Sequence, residues 1–238
     1  DNFNKSVLKG EEFNADKISY IGNLTKSPKT IEAIIKVPTD MEDRAGVIVG
    51  NYDGSDNKQF NLEVYSEGRI RIFANDGVNK VTGLFNTDIR SNDKTYIAVT
   101  INGTLATLYV NGRKAETITL TSALPKVTNN FVIGGDNREG NAQYFKGTIY
   151  AVNLFSDVRT YAEIVKDSVL VDANTDALLY SGYFTDAVCE VSNKGNGHNV
   201  SEWIIDKDKT ETQNGIIHKE CTLCKKVIST KEIFKNEA

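Results

Sequence analysis

Residues 92–136 constrain the fold most, because they encode two consecutive β-hairpins and a further core strand. Residues 96–101, Tyr-Ile-Ala-Val-Thr-Ile, alternate with the period of two that is typical of a β-strand. Asn102-Gly103 and Asn111-Gly112 are turn dipeptides that accept positive φ, and residues 105–110 form the strand between them. No helical period of comparable length competes with this pattern. The chain is therefore predicted to be all-β.

The same periodicity predicts the other strands. In residues 30–37 the positions Ile31, Ala33, Ile35 and Val37 are all apolar, so they are expected to face the interior. Further strands are predicted at residues 18–21, 45–50, 60–65, 69–73, 84–90, 115–120, 131–136 and 144–155, and residues 177–184 are a last strand or a tether.

Four stretches in this order resemble a known family. They are Tyr-Ile-Ala-Val-Thr (96–100), Leu-Tyr-Val-Asn-Gly-Arg (108–113), Phe-Val-Ile-Gly-Gly-Asp (131–136) and the run Phe-Lys-Gly-Thr-Ile-Tyr-Ala-Val-Asn-Leu-Phe (145–155). The series resembles the laminin-G-like, concanavalin-A-like jelly rolls of secreted and surface proteins, over roughly residues 6–185. The resemblance implies a jelly-roll sandwich, a fold that serves lectins, adhesion modules and glycoside hydrolases alike.

Composition excludes two classes of partner. The 238 residues contain 28 Lys and Arg against 32 Asp and Glu, and no basic run is interleaved with aromatic residues, so nucleic acid is not expected as a partner. No apolar stretch is long enough to span a bilayer or to form a signal-peptide core. Because the chain begins with Asp and ends Lys-Asn-Glu-Ala, we expect a piece of a longer polypeptide with neighbouring domains.

The character of the sequence changes near its end, where all 3 cysteines lie after residue 188. We therefore predict a jelly-roll domain at residues 1–186 and a small Cys/His-containing appendage at 187–238. Residues 195–234 resemble a repeat of Gram-positive surface proteins with the pattern Gly-His…Glu-Trp…Gly…Cys-x-x-Cys. This copy departs from the pattern, because Thr210 or Thr212 stands where a Cys is usual and Lys225 where a Gly is usual.

The cysteines of the appendage suggest a zinc site. Cys221 and Cys224 have metal-ligand spacing, and with Cys189 and His198 they provide four ligands for a closed tetrahedral site. His218 is a substitute ligand. A Cys221–Cys224 disulfide, or one long-range bridge from Cys189, is the alternative for a secreted fragment.

The hairpin of residues 60–73 is the best candidate for a binding face. Phe60, Leu62 and Val64 are predicted to point inward, so the side chains between them are predicted to point outward. Tyr52 and Asp53, at a strand end, are added because loops carry function on a rigid scaffold. The candidate ligand-binding residues are Tyr52, Asp53, Glu63, Tyr65, Arg69, Arg71, Phe73 and Asn75. They form either a glycan platform of aromatic and charged groups or a solvated face with cross-strand Arg–Glu pairs.

Catalytic patterns are weak in this sequence. A glycosidase of this fold needs two carboxylates roughly 5–9 Å apart. No strand presents Glu or Asp at alternate positions, and Glu63 stands between Asn61 and Tyr65. The only histidines, His198 and His218, lie in the appendage, so a nucleophile–histidine pair is hard to build in the sandwich. We expect the chain not to be an enzyme.

The loops of the jelly roll offer the hard oxygen ligands that calcium prefers. The candidates are Asp53, Asp56, Asn57, Asn75, Asp76, Asp136 and Asn137. Asp and Asn are also common simply as turn residues, and no Asp-x-Asp-x-Asp spacing brings these side chains together. The jelly-roll loops are therefore predicted either to bind calcium or to use these residues only to form turns.

These observations predict a lectin-like, non-catalytic carbohydrate-binding or adhesion module of a bacterial secreted or cell-wall-attached protein. Its partners would be glycans or a host or extracellular-matrix polymer. The alternatives are a structural spacer without a ligand and a degenerate glycoside hydrolase of the same fold.

Overall fold

The computed structural model describes residues 10–14, 18–55, 58–140, 143–169, 175–183, 201–208, 210, 213–222, 225 and 227–233. In this part the chain forms β1 Glu11–Asn14, β2 Ser19–Gly22, β3 Thr30–Lys36, β4 Gly46–Gly50, β5 Gln59–Val64, β6 Arg69–Asn75, β7 Lys80–Asp88, β8 Thr95–Asn102, β9 Leu105–Val110, β10 Arg113–Thr119, β11 Phe131–Ile133, β12 Lys146–Phe155, α1 Tyr161–Val169, β13 Leu178–Tyr183, β14 Ile204–Lys207, β15 Gly215–Glu220 and β16 Val227–Ile233.

Two antiparallel sheets form a sandwich. In the described residues one sheet has the order β1-β12-β3-β8-β9-β10, with β13 also paired to β12, and the other has the order β2-β11-β4-β5-β6-β7. We refer to them as the seven-stranded and the six-stranded sheet. The crossed order, in which sequence neighbours such as β3 and β4 lie in different sheets, is typical of a jelly roll. The all-β prediction is confirmed, and residues 177–184 contain a paired last strand.

The core between the sheets follows the predicted alternation. On β3 the residues Ile31, Ala33 and Ile35 lie in the main apolar cluster, and on β5 Phe60, Leu62 and Val64 join them. Every second residue of a strand faces the same side, so the period of two in the sequence assigns these side chains to the interior. The same rule assigns the residues between them to the outer faces of the sheets.

The two predicted turns use residues that tolerate positive φ. Gly103 has φ +62° between β8 and β9, and Asn111 and Gly112 have φ +49° and +78° between β9 and β10. Two consecutive positive φ values characterise a type I′ turn, whose twist matches that of a hairpin. The hairpins of the 92–136 run therefore form as predicted.

Helix α1 lies on the outer face of the seven-stranded sheet. Its Ile164 is fully buried in a second apolar cluster with Ile34, Tyr96 and Tyr150. The Thr160 backbone N–H donates to Glu163 Oε2 at 2.7 Å, and the Glu163 N–H donates back to Thr160 Oγ1 at 3.4 Å, which is a capping box. In the described residues no helix is both long and apolar enough to cross a membrane.

The last described strands form a separate three-stranded sheet with the order β14-β15-β16. On β15 the alternate residues Gly215, Ile217 and Lys219 are buried, and Cys221 at its end has no exposed surface. The Nζ of Lys219 lies 5.1 Å from the centre of the Trp203 ring. The division of the chain at residues 186 and 187 stays a prediction.

Candidate functional site

The outward side chains of β5 form a buried polar row on the outer face of the six-stranded sheet. Gln59, Asn61 and Glu63 are 2%, 3% and 2% exposed. Glu63 points outward as predicted and forms a cross-strand pair with Arg71, which was part of the alternative to a glycan platform, but it is buried rather than solvated. Neighbouring loops and arginine side chains cover the row, and hydrogen bonds or ion pairs with them hold each of the three side chains in place.

Glu63 lies beneath two arginines, Arg44 and Arg71, which we call the arginine pair. The Arg71 Nε donates to Glu63 Oε1, and Arg44 Nε lies 3.5 Å from Oε2. Both guanidinium carbons contact the Tyr65 ring, at 4.6 Å for Arg44 and 4.3 Å for Arg71 from its centre. The arginine side chains are 30% and 24% exposed against 2% for Glu63. One buried carboxylate thus pairs with two partly exposed guanidinium groups, so Glu63 and the arginine pair together have a net positive charge.

Asn61 links the loops on either side of the row. Its Nδ2 donates to Asp136 Oδ2 at 3.1 Å, and its Oδ1 accepts the Tyr52 backbone N–H at 3.3 Å. The buried Asp136 also accepts from Arg138 Nη2 at 2.7 Å. The Arg138 guanidinium lies 5.0 Å from the centre of the Tyr52 ring, which meets Phe73 edge to face at 5.1 Å. These contacts fix an aromatic pair beside the arginine pair.

Beyond Gln59 the outer face opens into a polar cleft of about 410 Å³, which we call the amide cleft. Its described lining is entirely polar or charged and includes Asn51, Asp53, Lys58, Gln59, Asp76 and Asn130. Hydrogen bonds within the loop of Asp53, above all from Ser55, lower the pKa of the Asp53 carboxyl. The cleft offers both donors and acceptors of hydrogen bonds.

Two of the predicted site residues lie apart from these contacts. The Nη2 of Arg69 pairs with Glu67 at 3.0 Å, and that glutamate is 69% exposed. Asn75, at the end of β6, is 2% exposed and accepts the Gly77 N–H at 3.0 Å, so the expectation of an exposed Asn75 is wrong. Its side-chain oxygen stabilises the turn that joins β6 to β7.

The sequence analysis missed Arg44, Gln59 and Arg138 as site residues. Gln59 could have been found, because it shares the parity of Asn61 and Glu63 on β5. Arg44 precedes the apolar β4, and Arg138 lies in the loop that follows β11, so each is a cation near a strand end. Their convergence depends on the strand order β11-β4-β5, which local patterns do not reveal.

The predicted metal ligands are only partly within the described residues. Asp53 and Asp76 line the same cleft, whereas Asp136 pairs with Arg138 and the Asn137 amide donates to the Asn130 carbonyl at 2.6 Å. In the part of the chain that the structure describes, no group of three or more His, Cys, Asp or Glu side chains is placed to hold a metal ion. Asp56 and Asn57 lie outside the described residues. Calcium stays a prediction.

The predicted zinc site also stays untested. Cys189, His198 and Cys224 lie outside the described residues, and Cys221 is buried at the end of β15. The substitute ligand His218 contacts Asp206, with 2.6 Å between its Nδ1 and Oδ1.

Comparisons with known proteins agree with the observed fold. The structure is similar to the CBM40 of Ruminococcus gnavus IT-sialidase bound to α2,3 sialyllactose, with 20% identity, 67% of this chain and 96% of that chain covered, and a TM-score of 0.50. It is similar to domain 4 of the GH43 extracellular arabinanase AbnA from Geobacillus stearothermophilus, in complex with arabinotriose, with 16% identity, coverages of 66% and 75%, and a TM-score of 0.52.

A third similar structure is the K499G mutant of NanB sialidase from Streptococcus pneumoniae, with 15% identity, coverage of 95% of this chain and 38% of that chain, and a TM-score of 0.52. These identities are low, so the similarities establish the fold alone. A sequence comparison with curated proteins finds no match.

The family comparison is more direct. Residues 14–165 match the Laminin_G_3 model, which is described as the concanavalin A-like lectin/glucanases superfamily. The match covers β2 to β12 and the first half of α1, and it confirms the resemblance of the sandwich. The Gram-positive repeat stays a prediction. Because the match spans more than half of the 238 residues, the chain belongs to the concanavalin A-like lectin/glucanases superfamily.

Proposed function

We propose that this chain is a non-catalytic carbohydrate-binding module whose glycan lies on the outer face of the six-stranded sheet. The arginine pair is the observation that supports it. Arg44 and Arg71 contact Tyr65 and share the one buried carboxylate of Glu63. The three charged side chains therefore have a net positive charge, and both arginine side chains are partly exposed. Guanidinium forks of this kind bind carboxylates and hydroxyls.

Aromatic groups beside the arginine pair complete the surface. Tyr65 is half-buried, and the pair of Tyr52 and Phe73 lies along the same face. Aromatic rings present a large apolar surface at little entropic cost, and tyrosine adds a polar tip. Sugar rings, which have apolar faces and polar edges, are suited to such a mixture.

The relatives agree with a sugar ligand and help to choose its class. The R. gnavus CBM40 is bound to α2,3 sialyllactose, and the G. stearothermophilus domain is in complex with arabinotriose. The first of these ligands has a carboxylate and the second is neutral. The net charge of the arginine pair favours a glycan with an acidic sugar for the present chain.

The buried carboxylates of this face argue against catalysis. A glycosidase needs one protonated carboxyl as general acid and a second carboxylate as base or nucleophile. Glu63 is engaged by Arg44 and Arg71, and Asp136 by Arg138. Both carboxylates are already held in ion pairs and buried, so neither is placed to act on a glycosidic bond.

A glycan array followed by calorimetric titration tests the proposal. We expect the chain to bind acidic oligosaccharides, and Tyr65→Ala to weaken binding about tenfold or more because the ring on which both guanidinium groups pack is lost. Tyr161→Ala is the matched control, because Tyr161 is 56% exposed on the helix over the other sheet, where it stacks on Tyr109.

Other outcomes would support the rivals. No binding to any glycan would favour a structural spacer. Sugar release from mucin or plant polymers would revive the degenerate glycosidase. Equal binding by Tyr65→Ala and the parent chain would place the site elsewhere on the sandwich.

The cellular context is part of the same proposal. We infer a module of a larger bacterial protein that is secreted or attached to the cell wall, acting in adhesion or beside a hydrolase. The extracellular arabinanase among the similar structures supports this, as does the resemblance of residues 195–234 to Gram-positive surface repeats. Neighbouring domains of the polypeptide would be its other partners.

A zinc ion in the appendage is the remaining proposal. Deprotonated Cys189, Cys221 and Cys224 with His198 would hold one ion, and the burial of Cys221 fits either a metal-bound thiolate or a disulfide. We expect one zinc per chain by elemental analysis. Chelation should expose Trp203 to quencher while the sandwich stays folded. Protein free of zinc in which Trp203 remains shielded would contradict the zinc site.

A further inference from the structure

The amide cleft contains a buried acceptor whose hydrogen bond is unmade. The Gln59 Nε2 donates to Asp53 Oδ1 and to Ser55 Oγ, the latter at 3.0 Å, which uses both amide hydrogens and fixes the orientation of the group. The Gln59 Oε1 is buried and accepts no hydrogen bond from the described residues. A buried polar atom without a partner is costly, so the site gains from a donor that enters the cleft.

The residues that line the amide cleft indicate which kind of hydrogen-bond donor would bind Gln59 Oε1. Lys58 lines the same cleft as Asp53 and Asp76, and its positive charge offsets one of these two carboxylates, which weakens the attraction for a cation. The Oδ1 of Asp76 already accepts the N–H groups of Val78 and Asn79, at 2.9 Å and 2.6 Å. A neutral hydroxyl meets the requirement of Gln59, and the amides around it can both donate to and accept from further hydroxyls.

The amide cleft and the arginine pair lie at opposite ends of the same strand, β5. Gln59 and Glu63 are four residues apart on β5 with their side chains on the same face, which places them roughly 13 Å apart at about 3.3 Å per residue. Tyr52 and Asn61 lie between them, joined by the hydrogen bond from the Tyr52 N–H. A ligand that reaches both ends is longer than one sugar residue.

We infer that the amide cleft is a second subsite, which binds the hydroxyl groups of a neutral sugar residue in the same oligosaccharide whose acidic residue lies on the arginine pair. This inference rests on the proposed function and adds the length and composition of the ligand. It assigns Gln59 the role of a specificity residue that accepts a hydrogen bond from a sugar hydroxyl. The neighbouring amide of Asn130 contributes to the same subsite.

Titrations with α2,3-sialyllactose and with N-acetylneuraminic acid test the subsite. We expect the parent chain to bind the trisaccharide about tenfold more tightly than the acidic monosaccharide. Gln59→Met removes the acceptor at nearly constant side-chain length, together with the N–H groups that bond Asp53 and Ser55, and should reduce that advantage to about twofold or less. Asn130→Gly is the second variant, because glycine adopts the φ of +55° at this position without strain.

The outcomes separate the two proposals. Tyr161→Ala, on the opposite face, should bind both sugars as the parent does. Undiminished preference for the trisaccharide in folded Gln59→Met and Asn130→Gly would overturn the subsite and leave the arginine pair in place. Equal affinity of the parent for the two sugars would also overturn it. Failure of the parent to bind either sugar would overturn the acidic-glycan proposal and the subsite with it. A melting temperature that rises with calcium but not with sialyllactose would assign the cleft to a cation instead.

Discussion

The outer faces of the two sheets place similar residues in different surroundings. Each has a buried glutamate on a central strand, Glu63 on β5 and Glu32 on β3, at 2% and 1% exposure. Glu63 is paired with two half-exposed arginines. Glu32 lies where α1 packs, near Asp167, and burial followed by the charge of Asp167 raises its pKa well above the ordinary value.

The arginine of the covered face is buried together with one of its two partners, Asp167. Arg159 is 3% exposed, and its Nη2 lies 2.6 Å from Asp167 Oδ2 while its Nη1 lies 2.8 Å from Glu163 Oε1. These ion pairs join Arg159 to α1 and leave the guanidinium no room for a ligand, while the Arg159 backbone N–H donates to Thr30 Oγ1 on β3 at 3.0 Å. The comparison teaches that an arginine–carboxylate cluster on a sheet is structural when a helix seals it, and available for binding when its cations stay half-exposed.

The largest expected effect is on the sealed cluster. Arg159→Met leaves Asp167 buried without its cation, so we expect the free energy of unfolding to fall by about 3–5 kcal/mol in urea titrations. Arg69→Met is the matched control, because its partner Glu67 is exposed and the loss should stay below about 1 kcal/mol. Equal losses in the two variants would contradict the distinction between sealed and open clusters.

A pH series sharpens the comparison through the two glutamates. The raised pKa of Glu32 means that the folded chain holds this proton more tightly than the unfolded chain. The resulting stability is fully present below pH 4.5, the ordinary pKa, and is lost as pH rises towards the folded pKa. Glu32→Gln should therefore gain on the order of 1–3 kcal/mol of stability at pH 8 relative to the parent, and little at pH 4.

The same change on the open face should have the opposite sign. Glu63→Gln removes the carboxylate that Arg44 and Arg71 share, so two neighbouring cations are left to repel each other. We expect the variant to unfold at lower urea concentration than the parent at pH 8. Stabilisation by both substitutions would contradict the account of the two faces.

Calcium gives the smallest expected effect. If calcium binds the loops of the six-stranded sheet, it stabilises the sandwich by mass action. Lys58 in the amide cleft and the pairing of Asp136 with Arg138 weigh against strong binding. We expect the melting temperature to differ by no more than a degree or two between chelator and millimolar calcium. A rise of several degrees would establish a calcium site in these loops.

Much of the fold could be predicted from the sequence because local rules determine it. The alternation of Ile31, Ala33 and Ile35 assigns one face of β3 to the core, and Asn111-Gly112 specifies a hairpin turn. The helix α1 was not predicted as a helix, although Thr160 and Glu163 have the spacing of a capping box. That signal is short, and the packing of Ile164 on the sheet stabilises a helix that is only nine residues long.

The candidate site was less predictable, because it depends on which strands become neighbours. Parity on β5 identified Glu63 as outward, and a cross-strand pair with an arginine such as Arg71 was one of the alternatives, but the pattern could not reveal that Arg44 would approach the same carboxylate. Arg71→Ala is therefore a poor probe of binding, since it uncovers a buried carboxylate. Tyr65 contacts both arginines without pairing to a buried charge, so it is the better position to change.

The most direct test of the central claim is a ¹⁵N chemical-shift titration of the chain with α2,3-sialyllactose. We predict that the perturbed amides belong to β5, β6 and the loops around Tyr52 and Asp136, with β8, β9, β10 and α1 unchanged. Perturbations confined to β8–β10 and α1 would contradict the assignment of the binding face to the six-stranded sheet.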